Sequence, residues 1–374
     1  MPKKLAIIGA SYLQQPLVEK AREMGLYTIC FAWRDGAVCA ELCDEFHEIS
    51  IVEKEEILRV CWEVKIDGVC TIASDVAAPT VAYVANALGL PGNDYEAAVR
   101  ANNKYLMRGA FMQAGVPCPQ YRMVTSVDQL NDLPMQLPLI VKPTDRSGSA
   151  GVTKVELWED LRLAVERALG ISFKHQAMVE EFIQGREISV EFISYGGKHY
   201  PLTITDKVTT EAPHFVELAH HEPSTLSPET FQEIYRITEK ALCALGVTNG
   251  ASHSEYKITE SGRICIMEIG ARMGGDFIGS NLVQLSTGYD FVKGVIQVAL
   301  GEFEPPVKTL QMHSGVYFLC KETEWLLPIL QQADQMPQVV KHEIQNMDLK
   351  QVTCSADRSG YLIYQADEKL ELKN

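Results

Sequence analysis

A lysine and a glycine-rich stretch follow one apolar segment of this 374-residue chain. Residues 138–141 are apolar or stiff, Lys142 comes next, and residues 147–151 read Ser-Gly-Ser-Ala-Gly. A lysine at the mouth of a buried strand is costly unless an anion lies beside it. Because the glycine-rich stretch offers backbone N–H groups and little bulk, the two features together predict an anion site.

Two glutamates face each other across a predicted hairpin. If Ser261 and Gly262 form a two-residue turn, facing residues sum to 523, and Glu255 lies opposite Glu268. Like charges in this arrangement repel, and a divalent cation between them would turn the repulsion into a site. Hard oxygen ligands suit magnesium, with Mn2+ as the alternative. A second interpretation is an exposed hairpin whose glutamates point separately into solvent.

A cation and two glycines follow these carboxylates in "EIGARMGGD", residues 268–276. Arg272 beside metal-binding carboxylates would be useful if a phosphoryl group or a developing oxyanion lay between them. Gly274 and Gly275 allow backbone N–H groups to approach a substrate closely. The alternative is that Arg272 simply pairs with Glu268.

Composition restricts the class of protein. The net charge of −15 argues against a nucleic-acid partner or an anionic membrane surface. A hydrophobic content of 46% and a charged content of 22% are typical of a globular protein of about two or three domains. The ten cysteines contain no C-x-x-C, which predicts buried free thiols in a reducing compartment. With no apolar run of membrane-spanning length, a cytoplasmic location is expected.

Helix-like and strand-like segments alternate through the first unit, residues 1–100, which predicts an α/β fold with a Rossmann-like parallel sheet and crossover helices. Beyond it the pattern changes to α+β, with hairpins at 195–198 and 260–263. The predicted strands are 5–9, 28–32, 68–73, 139–142, 315–320 and 360–364. The predicted helices are 15–24, 54–64, 80–88 and 104–114.

Together and in this order, the motifs resemble the ATP-grasp superfamily, which includes D-alanine–D-alanine ligase, biotin carboxylase and the L-amino acid ligases. The resemblance covers roughly residues 1–305. It implies that ATP is held between two α+β subdomains. The units expected are an N-terminal α/β domain at 1–100, a lid subdomain at 101–185, a metal and substrate subdomain at 186–307, and a C-terminal α+β segment at 308–374.

The resemblance also implies which residues hold ATP. "NNKYLMRGAFMQAGVPCPQY" (102–121) places Lys104 at the family's first phosphate-contacting lysine, and "IVKPTDRSGSAGV" (140–152) places Lys142 at the second. "EEFIQGREISVE" (180–191) is similar to the family's E-x-x-x-x-G-x-E hinge. The lid residues implied are Ser147, Gly148, Ser149 and Gly151; those implied at adenine and ribose are Glu180, the backbone of Glu181 and Ile183, and Glu187.

Glu255 and Glu268 match the magnesium carboxylates of the family, and Arg272 matches an arginine near the transferred phosphoryl group in its biotin carboxylase-like branch. The chain departs from the family at Gly270, where asparagine is frequent. A second metal would therefore lose a ligand, replaced by water or by another residue.

Residues 204–224 connect the two predicted hairpins and are long for a plain loop. In the amino acid ligases that the chain resembles, a comparable stretch covers the substrates. The resemblance implies that Lys207 contacts the γ-phosphate of ATP. Three more residues are candidates for contacting an amine substrate. Each of these four residues has a second interpretation as an ordinary surface residue. The candidates are His214, Glu217 and His220. Glu191 is expected to face solvent, and His253 to be a core residue or a neighbour of the metal ligands.

The function implied is an ADP-forming carboxylate–amine ligase that acts through an acyl phosphate on small-molecule substrates, with neither nucleic acid nor membrane as partner. A homodimer is compatible with the resemblance. Two alternatives stay open. One is a bicarbonate-activating enzyme, because residues 73–92 resemble the domain that precedes ATP-grasp in carbamoyl phosphate synthetase. The other is a non-catalytic nucleotide-binding module.

Overall fold

The computed structural model describes residues 2–131, 133–146, 150–211 and 214–372. Ser147, Gly148 and Ser149, which the resemblance assigns to the lid, lie outside these residues. The strands are β1 Lys4–Ile8, β2 Tyr27–Phe31, β3 Glu45–His47, β4 Gly68–Cys70, β5 Tyr121–Val124, β6 Leu139–Pro143, β7 Thr153–Val155, β8 Ala177–Glu181, β9 Arg186–Tyr195, β10 Lys198–Thr209, β11 Glu217–Glu222, β12 Gly250–Ile258, β13 Ile264–Gly270, β14 His313–Leu319, β15 Val339–Ile344 and β16 Gly360–Ala366. The α-helices are α1 Gln15–Glu23, α2 Lys54–Val64, α3 Ala78–Leu88, α4 Tyr95–Asn102, α5 Lys104–Ala114, α6 Trp158–Ile171, α7 Pro228–Leu245, α8 Val283–Thr287, α9 Phe291–Ala299 and α10 Leu327–Leu330.

The N-terminal sheet is parallel, with strand order β3-β2-β1-β4. Strands β1, β2 and β4 are mostly apolar and buried because helices cover both faces, whereas the edge strand β3 is only partly buried. Leu5 and Ile7 pack with α1 and α9 on one face, whereas Ala6 and Ile8 pack with α2 and α3 on the other. The predicted Rossmann-like α/β unit is confirmed.

The second sheet is antiparallel, with order β5-β8-β6-β7, and α6 covers one face. Val141 on β6 packs against that helix. Successive side chains on a strand point to opposite faces, so Lys142 points away from α6 and lines a cavity. We call this part of the molecule the lid sheet.

The third sheet has eight strands in the order β13-β12-β9-β10-β11-β14-β16-β15. Residues 204–224, which are long for a plain loop, are largely strand: β10 runs to Thr209 and pairs with β11 as a hairpin. On β9, Ile188, Val190 and Phe192 belong to the core that includes α5 and α7. The opposite face of β9 is turned toward the cavity.

The β12–β13 hairpin has the predicted pairing of the two glutamates but not the predicted turn. Glu255 faces Glu268 as predicted, but Ile258 faces Ile264, which is one residue out of that register. The turn is therefore a residue longer than predicted, and a bulge at Met267 restores the pairing. Because a bulge re-aims side chains, Met267 and Glu268 both line the cavity.

No helix in the described ranges is long and apolar enough to cross a membrane. All ten cysteines are free, and six of them are buried. The three sheets hold strands β1–β4, β5–β8 and β9–β16, so the C-terminal strands extend the largest sheet. The unit boundaries themselves stay a prediction.

Candidate active site

A cavity of about 430 Å³ lies between the lid sheet, the eight-stranded sheet and the loops of the N-terminal unit. It combines apolar residues with a dense set of charges. The apolar lining residues include Ile140, Val152, Phe182, Ile183, Phe215 and Met267. The charged ones include Asp75, Lys104, Lys142, Glu187, Lys207, Glu217, Glu255, Lys257, Glu268, Arg272 and Asp276.

The repulsion between the two facing glutamates is relieved by two lysines. Lys207 Nζ lies 2.7 Å from Oε1 of Glu255, and Lys104 Nζ lies 2.8 Å from Oε1 of Glu268. Lys207 holds the pKa of Glu255 well below its usual range, against the opposing effect of burial. Both carboxylates are therefore anchored on neighbouring strands with their oxygens directed into the cavity.

The donor set of this carboxylate pair fits magnesium. Among the described residues, no group of three or more His, Cys, Asp or Glu side chains could hold a metal on its own. Glu255 and Glu268 supply hard oxygen atoms from opposite sides of one ladder. Mg2+ is commonly bound by one or two carboxylates, with phosphate oxygens and water completing the octahedron. The pair is therefore suited to a magnesium ion that arrives with a phosphate ligand.

The side chain of Lys207 on β10 is buried, so its interpretation as a surface residue is wrong. Its side chain is 3% exposed and lies 3.3 Å from Glu187 and 3.4 Å from Glu217, in addition to Glu255. Burial acts to lower the pKa of Lys207, but these carboxylates raise it well above its usual range. The lysine is thus a fixed positive charge at the centre of an acidic cluster.

Arg272 pairs with a residue that the sequence did not indicate. Nη2 of Arg272 lies 2.8 Å from Oδ2 of Asp75, which follows β4 in the N-terminal unit, and the alternative pairing with Glu268 is not observed. The sequence signal that could have identified Asp75 is its place as a polar residue beyond the carboxyl end of a parallel strand, where ligands commonly bind. A Cβ at Gly274 would lie 2.8 Å from Nδ1 of His253, and the Gly274 N–H donates to Oε2 of Glu191 at 3.3 Å.

Glu191 and His253 form a buried pair beside the carboxylates, so the expectation that Glu191 faces solvent is wrong. Glu191 is fully buried and bonds to Nδ1 of His253, and the other ring nitrogen lies 3.5 Å from Oε1 of Glu255. Burial acts to lower the pKa of His253, but Glu191 outweighs it and raises the pKa to about 9. The imidazolium therefore adds a second positive charge beside Glu255.

Comparisons with known proteins agree with this geometry. The family model of the ATP-grasp domain matches residues 135–280. The solved structure of L-amino acid ligase from Bacillus licheniformis superposes with a TM-score of 0.82 and 26% identity, covering 98% of this chain and 94% of that one. By this match, residues 135–280 form an ATP-grasp domain.

Two further proteins match the chain, one in sequence over part of its length and one in fold over almost all of it. Alanine–anticapsin ligase from Bacillus subtilis is 30% identical over 245 residues, which is 59% of this chain. The chain spans about half the length of that relative, 51%. N5-carboxyaminoimidazole synthetase from Staphylococcus aureus has a TM-score of 0.80 over 98% of this chain and 95% of its own, but only 14% identity, so it supports the fold alone.

Several residues implied at the ATP-grasp nucleotide site line the cavity, namely Lys104, Lys142, Ile183 and Glu187. The Glu180 side chain is not free, because it is buried between Lys142 and Arg108, whose Nε lies 2.7 Å from Oε1. The Glu181 side chain pairs with Arg263 outside the cavity lining. Gly151 has a φ of +76° and packs beside Pro143, next to lining residues Ala150 and Val152.

The amine candidates separate in the structure. Glu217 and His220 line the cavity, whereas His214 belongs to a turn outside its lining. His220 is buried, with Nε2 3.9 Å from Oδ2 of Asp276, so the interpretation of His220 as a surface residue is wrong. Arg358 from the C-terminal segment bridges Glu217 at 3.0 Å and Asp276 at 2.9 Å.

A second cavity of about 600 Å³ adjoins the first and shares Asp276 with it. Its walls include Phe277, Phe318 and Tyr361 from the third sheet and the segment that follows β13. Asp276 and Phe277 both hold left-handed backbone, with φ values of 49° and 65°. Consecutive non-glycine residues in this region store strain, which is common at functional sites.

Proposed function

We propose that the chain is an ATP-dependent, ADP-forming ligase that joins the carboxylate of one amino acid to the amine of another. The observation that carries this proposal is the convergence of Glu255 and Glu268 with Lys104, Lys207 and Arg272 in one cavity. The likeness to the Bacillus licheniformis L-amino acid ligase supports amino acids as the substrate class.

In the proposed first step, a carboxylate oxygen of one substrate attacks the γ-phosphorus of ATP. The bond from that phosphorus to the bridging oxygen of ADP breaks, leaving an acyl phosphate. Catalysis of such transfers is mostly positioning and charge neutralisation. Lys104 and Lys142 supply positive charge for the phosphates, and Arg272 supplies a planar donor. Magnesium held by Glu255 and Glu268 would add further neutralisation.

In the proposed second step, the amine of the other substrate attacks the acyl carbon. The carbon–oxygen bond to phosphate then breaks, phosphate leaves, and the amine nitrogen loses a proton. We assign the amine to the junction of the two cavities, where Glu217 and Asp276 present carboxylates. The larger, aromatic-walled cavity would accommodate a substrate side chain. Exclusion of water matters because an acyl phosphate hydrolyses.

The test is a screen of ADP release with magnesium and ATP. Single amino acids, all pairs of amino acids, bicarbonate and a blank are compared, and products are identified by mass spectrometry. We expect ADP release that requires amino acids, with one new amide bond formed for each ADP.

The two alternatives predict different outcomes of this screen. ADP release with bicarbonate alone would replace the proposal by a bicarbonate-activating enzyme. Tight ATP binding with no substrate-dependent ADP release would indicate a non-catalytic module. Amide formation with ADP release that persists in a Glu255→Gln/Glu268→Gln double variant would show that the reaction does not use this carboxylate pair.

A further inference from the structure

The loop that follows β4 brings the N-terminal unit into contact with the segment that ends β13. Ala73 N donates to the carbonyl of Met273 at 3.1 Å, and Asp75 Oδ2 lies 2.8 Å from Nη2 of Arg272. Ala73, Asp75 and Arg272 all line the cavity. The N-terminal unit is therefore part of the wall around the reacting groups.

Gly270 makes room for the Asp75 carboxylate. Glu268 and Gly270 are two residues apart on β13, so a side chain at position 270 would point to the same face as Glu268. A Cβ at Gly270 would lie 2.7 Å from Oδ1 of Asp75 and 3.0 Å from Cζ of Arg272. Gly270 is not among the glycines with positive φ. The glycine is thus required by this close approach and not by its backbone conformation.

The ion pair with Asp75 is the main contact that fixes the position of the Arg272 guanidinium. Apart from Asp75, its only hydrogen bond in the described residues is a long one, 3.4 Å, to the Met273 carbonyl, and its Nε has no partner there. The carboxylates of Glu191 and Glu255 are near enough to act on the guanidinium electrostatically. A buried guanidinium that lost Asp75 would be drawn toward those carboxylates.

We propose that Asp75 is the positioning residue for Arg272. Its carboxylate occupies the space that Gly270 leaves open and directs the guanidinium toward the site of phosphoryl transfer. The role in phosphoryl transfer rests on the proposed function, whereas the fixing of Arg272 by Asp75 does not.

Variants that move the polar side chain from position 75 to position 270 test the proposal. Gly270→Asn places a side chain where Asp75 lies, so we expect ADP release to fall roughly 100-fold while affinity for a nonhydrolysable ATP analogue changes less than about threefold. Adding Asp75→Gly vacates that space and lets the asparagine oxygen accept from Arg272. The double variant should recover at least about tenfold relative to Gly270→Asn. Losses that multiply in the double variant would overturn the proposal.

Two matched controls separate this effect from general damage. Gly170→Asn makes the same substitution in α6, where a Cβ would meet no atom within 4 Å. Asp35→Asn removes an exposed aspartate of the same unit. Both should retain turnover. If Gly270→Asn does not fold, a folded double variant supports the proposal, and a double variant that also fails to fold contradicts it.

A second measurement needs no enzymatic activity. The melting temperatures of Asp75→Ala, Arg272→Ala and the double variant form a cycle. If the two side chains act as one unit, the double variant should melt no lower than the worse single variant, because contacting residues are non-additive. Additive losses would overturn the fixing of Arg272. Absence of ADP release with any substrate would count against the proposed function and leave this cycle decisive for Asp75.

Discussion

Replacing Glu268 by glutamine separates its two contacts, one to a lysine and one to the proposed metal. The substitution keeps the size of the side chain and removes its charge. Lys104 then loses the carboxylate 2.8 Å away but keeps its hydrogen bond to the Arg146 carbonyl at 2.9 Å. Lys104 is also free to bind phosphate. We therefore expect ATP affinity to stay within about an order of magnitude and turnover to fall.

The structure sets the size of both effects. The side chains of Lys104 and Glu268 are 11% and 30% exposed, so the pair is intermediate between a surface ion pair and a buried one. Its loss should cost about 1–2 kcal/mol of folding stability. A metal ligand supplies several kcal/mol of transition-state stabilisation, and about 3 kcal/mol corresponds to a roughly 100-fold loss of turnover. Catalysis should therefore suffer far more than folding.

The assay measures ADP release, ATP affinity and melting temperature on the same preparations. Glu166→Gln is the control, since Glu166 forms an ion pair of 3.1 Å with Arg162 on the lid helix α6. We expect Glu166→Gln to match the wild type in turnover. Wild-type turnover in Glu268→Gln would refute the assignment of Glu268 as a metal ligand. A loss of turnover explained wholly by unfolding would also count against that assignment, because it would indicate that Glu268 serves only as the ion-pair partner of Lys104.

Three further predictions concern charge. Arg272→Lys keeps the positive charge but loses the planar fork, so turnover should fall by about 10²–10³ with ATP affinity changed far less; wild-type turnover would make the Asp75 pair purely structural. Burial raises the pKa of Glu222 to about 8, so the folded state binds more protons than the unfolded state between pH 4.5 and 8. Unfolding free energy should therefore fall as pH rises through this window, and in Glu222→Gln that fall should shrink by up to a few kcal/mol in denaturant titrations. Although burial opposes it, Glu191 raises the pKa of His253 to about 9 from 6.5. The stabilisation by its charge is full below pH 6.5 and lost as pH rises through 9, so the deficit of His253→Asn should narrow over that range; a constant deficit would contradict the charged pair.

Local sequence signals were sufficient for much of the framework. Helices α2 and α5 begin and end at the predicted residues, 54–64 and 104–114. For α5 the reason is visible in the sequence, because Asn103 caps the first turn and Gly115 ends the helix in a left-handed conformation. Caps and apolar periodicity are properties of neighbouring residues, so a single sequence reveals them.

The pairing of Glu255 with Glu268 was predicted correctly from an incorrect turn. The turn is one residue longer than assumed, and the bulge at Met267 compensates for it. The extra residue of the bulge, Met267, lines the cavity, and segments far away in the sequence form that cavity. The sequence pattern of β13 therefore could not reveal it.

The buried charges were the least predictable part of the site. Lys207 and Glu191 were each expected at the surface because charged residues are seldom buried unless they are paired. Their partners come from other strands and are not adjacent in sequence: Glu255 for Lys207 and His253 for Glu191. A pairing across three strands of one sheet is a tertiary property, so the burial could be inferred only once the strand order was known.

The cavity holds its cations in balance with carboxylates. Lys104 pairs with Glu268, Lys207 with Glu255, and Arg272 with Asp75.

In the proposed reaction Lys104 exchanges one negatively charged partner, Glu268, for another, a phosphate of ATP. A phosphate that takes Lys104 leaves Glu268 without a partner, and an unpaired carboxylate in this setting is costly unless a cation replaces the lysine. Magnesium bound between Glu255 and Glu268 would supply that cation, so nucleotide and metal should stabilise each other's binding. The same exchange explains why Glu268→Gln should spare ATP affinity, since the glutamine has no charge to leave unpaired. Turnover should fall because the proposed metal would lose a ligand.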